Sequence, residues 1–271
     1  MELIVLGAAP AYTDRRGSAA SSYLVRTGGA SLLLDLGQGA FSNLAATVEP
    51  STLAAVLVSH LHPDHFIDLV PLRHYLKWEF NPSRRLRVAA PASLGSRLDV
   101  INGEAGFAAE ALDIERLSEG VQRIGPFAVE VRRVAHTDES YAFRVAVGSG
   151  SAGIGSAGIG SAGSGFGAEG APASPGLVYS GDCARADDLA PLIRPGDTLL
   201  SEATFGAGPV APGAQHITSG DVARVAASCG AARILLTHIL STHSRNGTLS
   251  SARAAFDGPI QLVTEGDRFE V

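Results

Sequence analysis

The sequence predicts an α/β protein built from two similar layers, and three observations carry the prediction. Short apolar runs of strand length alternate with segments of helical spacing in both halves of the chain. Some runs, such as residues 53–58, are apolar without interruption, the pattern of strands covered on both faces. Finally, 45% of the 271 residues are apolar while only two are cysteines, Cys183 and Cys229, so a hydrophobic core and not a disulfide framework must hold the fold. The length suits one large domain or two small ones.

In chain order, residues 2–8 form a first strand, and residues 22–25 and 31–36 form a hairpin about Thr27-Gly28-Gly29. Gly37-Gln38-Gly39 breaks the second of these; without a following Lys-Ser/Thr it is a tight turn and not a phosphate cradle. Residues 40–48 have the spacing of a short helix, residues 53–58 form the buried strand, and a helix follows through Tyr75. Residues 86–90 are a strand and 92–102 a helix, and residues 127–134 and 141–147 are strands flanking His136. The second half repeats the alternation: strands at 177–180 and 198–201, a helix at 219–229, a strand at 234–237, a helix at 249–256, and closing strands at 260–263 and 268–271.

Between the halves, residues 148–176 contain the repeat SAGIG, SAGIG, SAGSG, too poor in apolar groups to offset the entropy of ordering it. Because the chemical motifs on its two sides belong together, the expectation is one domain over residues 1–271 with a flexible insertion at 148–176.

Composition excludes several functions. With 21 basic and 27 acidic side chains the formal net charge is −6, which argues against stable binding along nucleic acid phosphates through a broad basic face. No apolar run approaches the roughly 18–20 residues of a membrane span, and the N-terminus lacks a signal-peptide pattern, so a cytoplasmic location without membrane partners is expected.

The chemistry gathers at strand ends. His60-Leu61-His62 places two imidazoles at i and i+2, and Asp64 and His65 follow after Pro63 turns the chain. Three more ligand-type residues each follow a strand: His136, Asp182 and His238. Five histidines and two aspartates suffice for a pair of divalent cations with a bridging carboxylate, as hydrolytic two-metal centres require. Such ligands suit Zn²⁺ first, with Mn²⁺ and Fe²⁺ compatible.

The His-x-His-x-Asp-His block followed by His, Asp and His resembles the metallo-β-lactamase-fold hydrolases over nearly the whole chain. The resemblance implies a four-layer αβ/βα sandwich of two mixed β-sheets. It also implies His60, His62 and His136 as ligands of one metal, Asp64, His65 and His238 as ligands of the other, and Asp182 as the bridge. Leu33-Leu34-Asp35-Leu36-Gly37-Gln38-Gly39, Tyr179-Ser180-Gly181-Asp182, and Ser201-Glu202-Ala203-Thr204-Phe205 with His216-Ile217-Thr218 are similar to the ribonuclease Z branch. That likeness implies phosphodiester cleavage by a bridging hydroxide, which Asp64 orients, with His216 protonating the leaving oxygen; the alternative for His216 is a cap on the helix near Ser219. Members that process tRNA precursors carry a structured arm between the third motif and the Tyr-Ser-Gly-Asp block, where this chain has its Gly/Ser/Ala-rich segment. The 59–65 block and the C-terminal blocks at 235–239, 254–259 and 269–271 resemble the atypical class II cyclic nucleotide phosphodiesterases.

The expected substrate is therefore a small phosphodiester, a cyclic nucleotide first. A ribonuclease Z-like RNA endonuclease, a lactone, thioester or lactam hydrolase, and a non-catalytic metal scaffold are the alternatives. The resemblance further implies a homodimer. Of the remaining residues, Arg245 beside His243 is a candidate phosphate contact, His74 and Cys183 are structural, and Trp78 and Phe80 either line the cleft or fill core.

Overall fold

A computed structural model describes residues 1–148, 174–210 and 212–271; the body of the expected insertion at 148–176 lies outside them. The first half forms β1 (Glu2–Gly7), β2 (Ser22–Thr27), β3 (Ala30–Leu34), α1 (Ala40–Thr47), β4 (Ala55–Leu57), α2 (Pro63–Phe66), α3 (Leu69–Trp78), β5 (Leu86–Ala90), α4 (Leu94–Asn102) and β6 (Leu112–Arg116). Then follow β7 (Gly120–Ile124), β8 (Phe127–Arg133), β9 (Tyr141–Val147), β10 (Leu177–Tyr179), β11 (Thr198–Glu202), α5 (Ser219–Cys229), β12 (Arg233–Thr237), α6 (Arg245–Arg253), β13 (Ile260–Leu262) and β14 (Arg268–Glu270).

Two seven-stranded sheets result, ordered β14-β1-β2-β3-β4-β5-β6 and β13-β12-β11-β10-β9-β8-β7. Both are mixed in the same way. Pairings from β14 to β3, and from β7 to β10, are antiparallel, whereas those from β3 to β6, and from β10 to β13, are parallel. Hairpins suffice for antiparallel neighbours, but parallel neighbours need crossovers, and these carry most of the helices onto the outer faces.

Strand alternation then sorts the apolar residues into three cores. Leu3, Val5, Leu32, Leu34, Tyr179, Leu200 and Leu235 point between the sheets. Ile4, Leu6, Leu33 and Val56 face α1, α3 and α4, while Val178, Leu199, Ile234 and Leu236 face α5 and α6. The four-layer αβ/βα sandwich expected from the motifs is the observed architecture.

Four local expectations need correction. β6 and β7, edge strands, carry no apolar run; β6 instead aligns Asp113 with Arg85 and Glu115 with Arg87 in ion pairs across to the β5 side. The strand expected at 53–58 spans only Ala55–Leu57. The helix expected after His65 begins earlier, as the short α2 from Pro63 that contains His65, and after a break continues as α3 past Tyr75 to Trp78. Helix α6 begins four residues before the expected 249, because Ser244 accepts a hydrogen bond from the Gly247 amide and caps a turn whose composition is otherwise unpromising. Around the insertion, buried Arg144 on β9 makes two hydrogen bonds to Asp197 (2.7 and 2.8 Å), and Asp197 also accepts from the Gly176 amide, fixing the chain where it enters β10.

Candidate metal centre

All seven ligand-type residues converge at one edge of the paired sheets, immediately beyond the C-terminal ends of β4, β8, β10 and β12. His60, His62, His136 and Asp182 form one group; Asp64, His65, Asp182 and His238 form a second, with Asp182 common to both. All except His62 and His136 are buried. The tight approach depends on glycine at two places. A Cβ on Gly37 would lie 2.0 Å from the Asp64 carbonyl oxygen, and one on Gly181, whose φ is +56°, would lie 2.9 Å from the Ser59 Cβ.

The hydrogen bonds around the histidines fix their tautomers. Asp35 accepts from the Ser59 amide (2.6 Å), the Ser59 hydroxyl (2.7 Å), the Tyr179 hydroxyl (2.6 Å) and His65 Nδ1 (2.7 Å). Since the Ser59 hydroxyl donates to Asp35, its oxygen accepts from His60 Nδ1 at 3.1 Å. His136 Nδ1 donates to the Gln215 carbonyl at 2.7 Å. On the other side Thr204 donates to Glu202 (2.5 Å) and accepts from His238 Nδ1 (2.9 Å). Four imidazoles therefore spend their one N–H outward and direct Nε2 lone pairs inward.

These lone pairs converge on one another and on carboxylates; burial opposes a charge on His65, but Asp182 and Asp35 outweigh it and raise His65 well above the ordinary histidine range so long as no cation lies between them. His62 Nδ1 lies 3.0 Å from His60 Nε2 and 3.1 Å from His136 Nε2. His65 Nε2 stands 3.3 Å from Asp182 Oδ1, and these two buried atoms lack a hydrogen-bond partner. His238 Nε2 lies 3.1 Å from Asp64 Oδ2. Converging nitrogen lone pairs and carboxylates repel unless cations lie between them, so the donor set fits a pair of divalent metal ions. Burial, followed by neighbouring imidazoles, pushes His60 well below the ordinary histidine range; His62 and His136 are lowered first by burial as well, favouring the neutral form that ligates. Asp182 moves well below the usual carboxylate range: burial opposes its charge, but His238 and His65 outweigh burial.

Backbone strain marks the site too. Asp35 and His238 each follow a strand at positive φ, +57° and +56°, and are the only non-glycine residues in that region among the described residues. Each is held there by the rigid strand before it and by the bonds just described.

His216 lies outside these two groups and, with Glu202 and His238, forms a third cluster of ligand-type atoms at the rim. Its Nδ1 lies 3.0 and 3.1 Å from the two Glu202 carboxylate oxygens, and its ring centroid stands 4.8 Å from His136 and 5.8 Å from His238. Burial lowers its proton affinity, but the Glu202 bond and charge, with Asp182, raise it above the ordinary value. It does not cap α5: Thr218 does, in a reciprocal capping box with Asp221.

Asp35, Ser59, Tyr179, Glu202 and Thr204 received no role from the sequence, although most stood in the blocks quoted above; a buried acid immediately after an apolar strand was the available signal. Cys183 is buried and His74 packs on Phe107. Trp78 neither fills core nor borders the centre: it is 70% exposed, with Lys77 over its ring, while Phe80 packs on Tyr75.

The family described as the beta-lactamase superfamily domain matches residues 32–239, from β3 through the second ligand group. The chain belongs to the beta-lactamase superfamily. An uncharacterised protein of Mycobacterium leprae is 31% identical over 94% of this chain and 83% of its own length. The ribonuclease Z of Thermobifida fusca is 26% identical over 100% of this chain and 94% of its own. The crystal structure of YhfI from Bacillus subtilis, a metallo-beta-lactamase fold protein, superposes with a TM-score of 0.79 at 23% identity, covering 99% of both chains. The human short-form tRNase Z superposes with a TM-score of 0.71 at 19% identity over 100% of this chain and 99% of its own. Within the superfamily the likeness is to the ribonuclease Z branch, and the chain is a metal-dependent hydrolase.

Proposed function

We propose that this hydrolase is a phosphodiesterase acting on a small phosphodiester, a cyclic nucleotide first. The observation that carries the reading is His216, an imidazole outside the two ligand groups, at the rim of the centre, that Glu202 orients and holds toward its protonated form. Cleaving a phosphate from an alkoxide requires a proton donor beside the metals; opening an activated carbonyl depends on one less.

His60, His62 and His136 would hold one cation and Asp64, His65 and His238 the other, with Asp182 between them; Zn²⁺ is the first candidate. When bound, such a pair supplies a nucleophile from water and neutralises charge on the phosphate oxygens. The remaining roles belong to the chain. Asp35, Gln215 and Thr204 hold His65, His136 and His238 in their ligating tautomers, and Ser59 does the same for His60. Asp64, held below the usual carboxylate range because the neighbouring His238 and His65 imidazoles outweigh burial, stays ionised and orients the attacking water. His216 donates a proton to the departing oxygen and Glu202 stabilises the charge it holds until then.

The test is hydrolysis of 3′,5′-cyclic AMP, bis-p-nitrophenyl phosphate and a precursor tRNA by the metal-loaded protein beside its Asp182→Ala variant. Cyclic AMP turnover lost in the variant supports the reading. Activity on tRNA or the aryl ester alone moves the substrate toward RNA, and silence on all three overturns phosphodiester chemistry in favour of lactones and thioesters.

A further inference from the structure

An open cleft lies between the loop after β1 and the start of α6. Of the seven candidate metal ligands only His238 lines it, so the cleft borders the second ligand group; Glu265 lines it as well. Arg15 and Arg245 both line it, as do Thr13 and Ser241.

Among the described residues neither guanidinium makes a hydrogen bond or ion pair, in contrast to Arg26, Arg85, Arg87, Arg116, Arg194 and Arg268, each beside a carboxylate. The two are near neighbours: after burial, the Arg15 charge is what most lowers the proton affinity of Arg245. The acids nearby are Asp267, whose charge offsets part of the Arg15 repulsion at Arg245, and Glu265, which lines the cleft; each has one carboxylate oxygen in hydrogen bonds to the chain. Glu265 accepts from the Ser18 hydroxyl and the Ala19 amide, and Asp267 from the Thr264 amide and hydroxyl. Two like charges gathered in a cleft of a chain whose net charge is −6 repel one another, and an oxyanion between them converts that repulsion into two charge-assisted hydrogen-bonding forks.

We propose that Arg15 and Arg245 form a subsite for a second anionic group of the substrate, a phosphate additional to the one cleaved at the metal centre. Calling the ligand a substrate rests on the phosphodiesterase reading above; the anion site itself stands on the cleft. It narrows the substrate class to phosphodiesters that carry a further phosphate, and it assigns the selection to the loop after β1 and the first turn of α6.

The experiment is calorimetric titration of the metal-loaded protein with AMP and with non-hydrolysable α,β-methylene-ADP, which differ by one phosphate. The wild type is expected to bind the diphosphate about tenfold more tightly, the worth of one charge-assisted contact. In the Arg15→Gln/Arg245→Gln double variant that advantage disappears while AMP affinity is kept, and the Lys/Lys variant retains part of it. No advantage in the wild type, or one that survives the Gln/Gln change because the metals take both phosphates, overturns the subsite. Both side chains are exposed, and the single Arg15→Gln variant, on a surface loop, gives the same test should Arg245→Gln disturb α6. Turnover of cyclic AMP and the aryl ester is followed in parallel. A diphosphate advantage without turnover overturns the phosphodiesterase reading and leaves the subsite standing, whereas turnover without the advantage does the reverse.

Discussion

Asp35→Asn removes no ligand and almost no volume, yet it should disable the second ligand group. Two of the donors facing Asp35 cannot reverse. The Ser59 amide lies on Oδ1 and His65 Nδ1 lies on Oδ2. An asparagine has one acceptor oxygen for these two N–H groups. With the oxygen toward His65, a buried Ser59 N–H faces an NH₂ group, at a cost of about 1–3 kcal/mol for the unsatisfied donor. With the oxygen toward Ser59, His65 must shift its proton to Nε2 and loses the lone pair directed at Asp182. Either outcome weakens metal binding, by about 10- to 100-fold as is usual for a lost outer-shell carboxylate. The assay is competition with a chromogenic chelator, together with denaturant unfolding of the metal-free and metal-loaded forms. The expected result is retained folding and one cation held much more weakly than the other. Two cations bound with wild-type affinity would refute the tautomer argument and with it the assignment of His65 as a ligand.

His216→Ala should lower turnover of an alkoxide-leaving substrate by about 10²–10⁴-fold, with a much smaller effect on bis-p-nitrophenyl phosphate, whose phenolate departs without a proton; equal losses on both would remove the acid role. Because His216 acts protonated and its proton affinity is raised, kcat/KM should fall as pH rises through a value above the ordinary histidine range. Glu202→Gln should move that alkaline limb to lower pH, and an unmoved limb in a folded variant would assign it to another group. Asp197→Ala should destabilise the fold by about 3–5 kcal/mol in urea unfolding, because it leaves Arg144 buried without its carboxylate; a change within error would show that water reaches that pair.

The ligand residues were legible because metal chemistry crowds distinctive residue types into short spacings, and because strand ends in an α/β chain deliver them to one edge. His60, His62, Asp64 and His65 stand within six positions, and His136, Asp182 and His238 each follow an apolar run. The hairpin of β2 and β3 and the long buried strands were equally legible, since their periodicity is set by what covers each face. Edge strands β6 and β7 were not, because one open side removes the demand for apolar residues.

What the linear sequence determined, then, is the set of chemically able groups and the alternation that brings them to a common edge. Tertiary structure alone decided how those groups are held. Asp35 lies 144 positions from Tyr179 and 30 from His65, and Glu202 lies 14 from His216, yet each pair is joined by a hydrogen bond. The same holds for Arg15, an ordinary surface residue in sequence that the fold brings to the cleft lined by His238 and by Arg245, the candidate phosphate contact. A side chain's tautomer, its ionisation and its lack of a partner depend on neighbours that close in from distant strands, and local spacing carries no record of them.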